Sequence, residues 1–363
     1  MKVRSLLLAL LTMCSLLLFT GCMKGEQTME EVDPPQNAEA VDQSSQETDD
    51  NEHETETKDV DANDKEQLET ETAARQLYLI DVNGMVVPQT LELPNIESNE
   101  VAKQVLEYLV KDGPVTTILP NGFQAVLPAG TEILGLTLQE DGTMIVDVSD
   151  EFKNYEPEEE EKILEAMTFS LTQFENVDKI KLWINGHPQD EMPVNGTPIS
   201  DGYSRTNGIN LIESDALDLM NSYAVTMYFP AEHNDTRYYV PTTQHVEASE
   251  DDFYEAMVQA LIDGPHTQSN VIHVFNPDTT IMEKPVLKDD VLEIVFNQSI
   301  LKDPDEAVIA DEVMETLVRS LTEHPSIEAV DVKVENIDQL VNENGEVYNQ
   351  PVEKSLFVDA KKL

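Results

Sequence analysis

Few residues in this chain are of a type and spacing that could carry covalent chemistry. Acyl transfer needs an activated nucleophile, yet there is no Gly-x-Ser-x-Gly elbow, and the only cysteines, Cys14 and Cys22, both lie near the N-terminus. The histidines His187, His233, His245, His266, His273 and His324 show neither His-x-x-x-His nor His-Glu-x-x-His spacing. No carboxylate stands at ligand spacing beside His266 and His273, so no zinc site is expected. Two acids across a cleft could hydrolyse a glycosidic bond. Here acids are so abundant that pairs carry little information, and Glu158 to Glu161 reads as the solvated start of a helix. Asp141 and Asp289-Asp290 sit at turns and could bind divalent ions weakly, but the Asp-x-Asn-x-Asn-Gly loop with its distal glutamate is missing. The expectation is therefore no catalytic residue, no metal centre and no cofactor.

Charge narrows the class further. Seventy-two acidic side chains against 22 basic ones give the 363 residues a net charge of −50, which makes approach to a nucleic-acid backbone repulsive. Lys2 and Arg4 precede the apolar run Leu6 to Phe19, short for a membrane span but suited to a signal-peptide core. The run ends in Phe19-Thr-Gly-Cys22, which resembles a lipobox. Residues 1–22 are thus expected to be a lipoprotein signal peptide, with Cys22 lipidated and becoming the new N-terminus. A plain signal peptide or an uncleaved anchor is the alternative. Two acyl chains on Cys22 would hold the protein stably on the extracytoplasmic face of a membrane.

The elements behind these residues come in two sets. Residues 23–74 are rich in Glu, Asp, Gln, Thr and Asn, and cannot bury enough surface to offset their ordering entropy. They read as an acidic, disordered tether spanning about 40 Å. Beyond them, Asp112-Gly-Pro114 matches Asp263-Gly-Pro265, Pro128 matches Pro277, and Ser170-Leu-Thr172 matches Ser320-Leu-Thr322, a shift of roughly 150 residues that fits two domains of ordinary size. The domains are expected at 75–212 and 223–363, with a connector at 213–222 in which Ser214 to Met220 is a candidate helix. The short connector predicts a stiff tandem.

In the first copy Leu77–Ile80 reads as a strand and Met85–Val87 as its hairpin partner across Asn83-Gly84. Ser98 offers an N-cap to a helix burying Ala102, Leu106, Leu109 and Val110. Ser249 with Asp252 reads as a capping box for the matching helix, whose face is Phe253, Met257, Ala260 and Leu261. The Asp-Gly-Pro segments then read as stops, glycine taking a left-handed cap and proline barring continuation. Strands follow at 133–138 and 144–148, joined by Asp141-Gly142. A second helix has proline in its first turn at Glu156-Pro157, repeated at Asp303-Pro304, and buries Ile163, Met167, Leu171 and Phe174, matched by Val313, Leu317 and Leu321. Final strands are expected at 179–184 and 329–334. The fold class is α+β: two tandem βαββαβ-like domains, each with two helices on one face of a mostly antiparallel sheet and an extra strand near its start. Polar, irregular tails close the copies at 188–211 and 341–357. Trp183, replaced by Lys333 in the second copy, is expected to be exposed and is a candidate contact surface.

The Asp-Gly-Pro stop, Leu127-Pro-Ala-Gly-Thr131, Val146-Asp-Val-Ser149 with Glu151-Phe152, and Ser170-Leu-Thr-Gln-Phe174 together resemble a GerMN domain. The second copy, with Asn276-Pro-Asp-Thr279 and Val295-Phe-Asn-Gln298, resembles a divergent one. The resemblance covers about residues 76 to 340. It implies a non-enzymatic lipoprotein of sporulation or spore germination, positioning or assembling envelope proteins between mother cell and forespore, and it carries over no catalytic residues. Its implied partners are extracytoplasmic envelope or sporulation proteins. An enzyme acting on peptidoglycan, or a cell-wall glycan binder, is the alternative that the location and the carboxylates would suit.

Overall fold

The computed structural model describes residues 71–96, 100–212, 222–265 and 270–357. They lie within one compact unit spanning Gln67–Leu363. Each copy begins with a long hairpin: β1 (Thr72–Ile80) with β2 (Val86–Pro94), and β8 (Ser222–His233) with β9 (Thr236–Glu247). The turn of the second hairpin, Asn234-Asp235, has both residues at positive φ, as a tight primed turn requires.

Each copy then builds a sheet with a parallel crossover at its centre. In the first, β3 (Ile133–Leu138) and β4 (Thr143–Val148) form a hairpin, helix α2 (Glu160–Leu171) crosses over, and β5 (Lys179–Ile184) returns parallel to β4 from Thr143↔Lys179 to Val148↔Ile184. The two-residue strands β6 (His187–Pro188) and β7 (Tyr203–Ser204) add to β5 from the tail. In the second copy β10 (Ile281–Lys288), β11 (Val291–Phe296) and β14 (Ala329–Val334) repeat this arrangement, with β15 (Val352–Glu353) on β14. The alternation that marks a half-buried strand is plain in β5, where Ile180, Leu182 and Ile184 are buried while Lys179, Lys181 and Trp183 face outward. All but the central pairing of each sheet are antiparallel.

Helices α1 (Val101–Glu107) and α2 serve the first copy, α3 (Phe253–Asp263) and α4 (Asp311–Leu321) the second. The hairpins form a further layer, because α2 packs on both β1 and β5, and α4 packs on both β8 and β14. A helix between two β layers has no solvent face, so ten of the twelve residues of α2 are buried, Thr168 and Ser170 among them. The repeated Ser-Leu-Thr segment follows from this layering. Ser170 Oγ accepts the N–H of Tyr78 at 3.0 Å and Ser320 Oγ that of Tyr228 at 2.8 Å, tying each hairpin to its helix. Thr172 and Thr322 close the helix ends by donating to the carbonyls of Thr168 and Val318.

Several local expectations need correction. Helix α1 ends at Glu107, and the left-handed residue after it is Asp112 (φ 60), not Gly113. Gly113 is needed for close approach instead, since a Cβ there would lie 2.8 Å from the Val110 carbonyl oxygen. Gly264 does end its helix at a positive φ of +79, but its ψ of −178 makes it extended there rather than left-handed helical. Asp303-Pro304 opens no helix: it lies in the turn between β12 (Leu301–Asp303) and β13 (Val308–Ile309), where Asp303 Oδ1 accepts the N–H groups of Asp305 and Glu306. The Ser249 hydroxyl donates to Asp252 Oδ2 at 2.9 Å rather than capping a backbone N–H. Ser98 and the candidate helix Ser214 to Met220 fall outside the described residues.

Candidate functional site

The surface where the two copies meet concentrates the buried polar chemistry. Hairpin β8–β9 belongs to the second copy in sequence, yet Ala231, Tyr238 and Val240 join the first core while Val225, Met227 and Phe229 join the second. With both faces covered, the run Met227 to Ala231 is buried without a break. Two side chains fasten it to the first copy. Tyr238 donates its hydroxyl to Asp81 Oδ2 at 2.8 Å. Asn210 donates its amide to the carbonyls of Val86 and Pro241, each at 2.7 Å, and its Oδ1 accepts the Val86 N–H at 2.8 Å. Strands β2 and β9 run against each other beside it.

At the other end lies an ion cluster. Arg205, in the short 3₁₀ turn after β7, stacks 4.5 Å from the centre of the Phe169 ring and donates Nε to Thr172 Oγ1 at 2.8 Å and Nη2 to the Phe169 carbonyl at 3.3 Å. Its remaining nitrogen, Nη1, pairs with Glu323 of the second copy. Glu323 also accepts from Lys354 Nζ at 3.0 Å and from the Tyr228 hydroxyl at 3.2 Å. Its side chain is only 12% exposed, and burial alone would raise its pKa, but the Lys354 and Arg205 charges overcome that and hold it at about 2. Burial pushes the Tyr228 hydroxyl far above its ordinary range, so it stays a neutral donor. The acid is available because the copies diverge where the motif ends, with Gln173 in one and Glu323 in the other.

Two more acids are buried against expectation. Glu160 lies inside the segment read as a solvated helix start, yet it is fully buried. It accepts hydrogen bonds from the Tyr155 hydroxyl (2.8 Å), the N–H groups of Val194, Asn195 and Thr197, and the Thr197 hydroxyl (2.6 Å). Burial opposes its charge, but these donors win and its pKa falls below the usual value. Glu165, five residues on, accepts the Asn210 N–H at 3.0 Å as its one hydrogen bond among the described residues, and burial raises it to about 8. Both acids fix the tail that carries Arg205 and Asn210.

Of the residues singled out from sequence, Trp183 is half-buried rather than freely exposed, on the outer face of the first sheet, where Asp147 and Pro188 flank it in register. Cys22 and His266 lie outside the described residues. The other histidines are scattered: His273 Nε2 donates to the Ile262 carbonyl at 2.7 Å, and His324 packs on Phe253 and Tyr254. Among the described residues no three His, Cys, Asp or Glu side chains group to hold a metal ion, and no helix is long and apolar enough to cross a membrane.

Comparison with known proteins agrees with this repeated architecture. The model of a family described as Germane, sporulation and spore germination, matches residues 76–190 and again 226–339. The chain is 44% identical over 348 residues to the spore germination protein GerM of Bacillus subtilis (strain 168), covering 94% of this chain and 93% of that relative. It is similar in structure to the tandem GerMN domains of the sporulation protein GerM from Bacillus subtilis, with TM-score 0.72 and 48% identity over 78% of this chain and 97% of that one. A chain that carries the domain twice, and matches a tandem relative along nearly its whole length, belongs to the Germane family of sporulation and spore germination proteins.

Proposed function

We propose that this protein is a non-enzymatic scaffold of sporulation or germination. Anchored through lipidated Cys22 on the extracytoplasmic face of a membrane and held out on its acidic tether, it positions envelope proteins between mother cell and forespore. The observation that carries this reading is the junction. A shared hairpin and the Arg205–Glu323–Lys354 cluster make two domains into one body, which is what presenting two surfaces in a set orientation requires. Loosely linked domains would need no buried ion cluster between them. The family membership supports the sporulation role.

The test uses chains lacking either copy, with envelope crosslinking and fluorescent localisation in sporulating cells. Loss of crosslinked partners or of localisation when either copy is removed is the expected result. Normal localisation without both copies would overturn the scaffold reading, as would release of soluble fragments from peptidoglycan by the purified chain.

A further inference from the structure

The two sheets end in corresponding edge strands, β3 and β10, and they are guarded differently. Each carries two well-exposed apolar side chains four residues apart, Leu134 and Leu138 in β3, Met282 and Val286 in β10. Strand β10 has the devices that keep a free edge from pairing: Pro285, the charges of Glu283, Lys284 and Lys288, and two breaks in register. Strand β3, Ile-Leu-Gly-Leu-Thr-Leu, has no proline and no charge, and its single break in register lies at its start, between Ile133 and Gly135, leaving Leu136 to Leu138 in regular pairing. Its backbone is also turned outward. Gln139 donates to the Thr143 carbonyl at 2.9 Å, and alternation from that pair directs the N–H and C=O groups of Leu138 and Leu136 away from β4, to the open side of the sheet.

Beside this edge runs a cleft of about 530 Å³ between α1 and the start of β3, with Val110 and Ile133 in its lining. A strand laid on β3 would send alternate side chains into it. The cleft has two lysines and several acids, but the lysines are spoken for: Lys103 pairs with Glu107 at 3.7 Å and Lys111 with Glu159 at 2.5 Å. Asp112 and Glu132, both exposed, have no ion-pair partner among the described residues, so the unbalanced charge of the cleft is negative.

We infer that the β3 edge of the first copy is a docking site for an extended, basic segment of a partner protein, which adds as a strand to β3 and places a cationic side chain between Asp112 and Glu132. A second copy of this chain is a poor occupant, because its net charge of −50 opposes close approach. This deepens the scaffold reading by naming where one partner binds. It uses none of the junction residues, so either can fail alone.

The probe is a peptide of about nine residues alternating lysine with valine or threonine, added to the full-length chain, with a scrambled peptide of equal charge as control. The alternating peptide should bind at least tenfold more tightly than the scrambled one and slow amide exchange of Leu136 and Leu138 tenfold or more. Leu134→Lys, an exposed change that leaves the fold intact, and Leu138→Pro, which removes one outward N–H, should each abolish that preference while the thermal transition stays in place. Equal affinity for both peptides, or binding without protection of those amides, would reduce the interaction to general charge attraction and overturn the inference. So would peptide-independent dimers that Leu134→Lys dissolves, since the occupant would then be a second copy.

Discussion

Glu323→Gln removes the acid that both copies share at their junction. In the folded chain this carboxyl titrates at about 2 against an ordinary 4.5. At about 1.36 kcal/mol per unit, the depression corresponds to roughly 3 kcal/mol of stability. The side chain is 12% exposed, so solvent screening takes little from that figure. Because the folded pKa is lowered, the contribution is complete above pH 4.5 and disappears as pH falls towards 2, with about half remaining at pH 3. Urea unfolding followed by circular dichroism should show Glu323→Gln less stable by about 3 kcal/mol at pH 7 and by about half as much at pH 3. A loss below about 0.5 kcal/mol at pH 7 would place this pair among the surface ion pairs that contribute little. An equal loss at both pH values would trace it to packing. Either result refutes the electrostatic clamp.

Glu165 runs the other way: its pKa is raised to about 8, so stability is full below 4.5 and lost as pH rises through 8. Glu165→Gln should flatten that loss and exceed the parent by on the order of 3 kcal/mol at pH 8, and an unchanged pH profile would contradict the burial. Glu160→Ala strips five hydrogen bonds from one acceptor group and should cost about 3–5 kcal/mol. It should also speed amide exchange at Asn195 and Thr197 while α4 stays protected; unchanged exchange there would show that other contacts fix the tail. Cys22→Ala should move the protein from the membrane to the soluble fraction, and retention would point to an uncleaved apolar segment.

The fold was largely legible because its local signals agree with its layers. The strands expected at 179–184 and 329–334 have the bounds of β5 and β14, alternation holds along β5, and the buried face of α4 follows the helical period, whereas α2 is buried nearly all round. What escaped depends on distance in sequence. Glu160 sits in a run of four glutamates, and nothing local tells the one that meets Thr197 from its solvated neighbours. Glu323 shows itself only when the copies are aligned and Gln173 is seen to have become an acid. The unbroken apolar run Met227 to Ala231 was the available sign that the second hairpin is covered on both faces. Asp303-Pro304 misled because proline suits a turn as well as a helix start, and the choice between them is made by β12 pairing with β13.

Differential scanning calorimetry of the full-length chain tests most directly whether the two copies act as one body. A hairpin shared between both cores should make them unfold together, giving one transition with a calorimetric-to-van't Hoff enthalpy ratio near one. Two separate transitions, with the second copy melting while the first keeps its structure, would contradict the account.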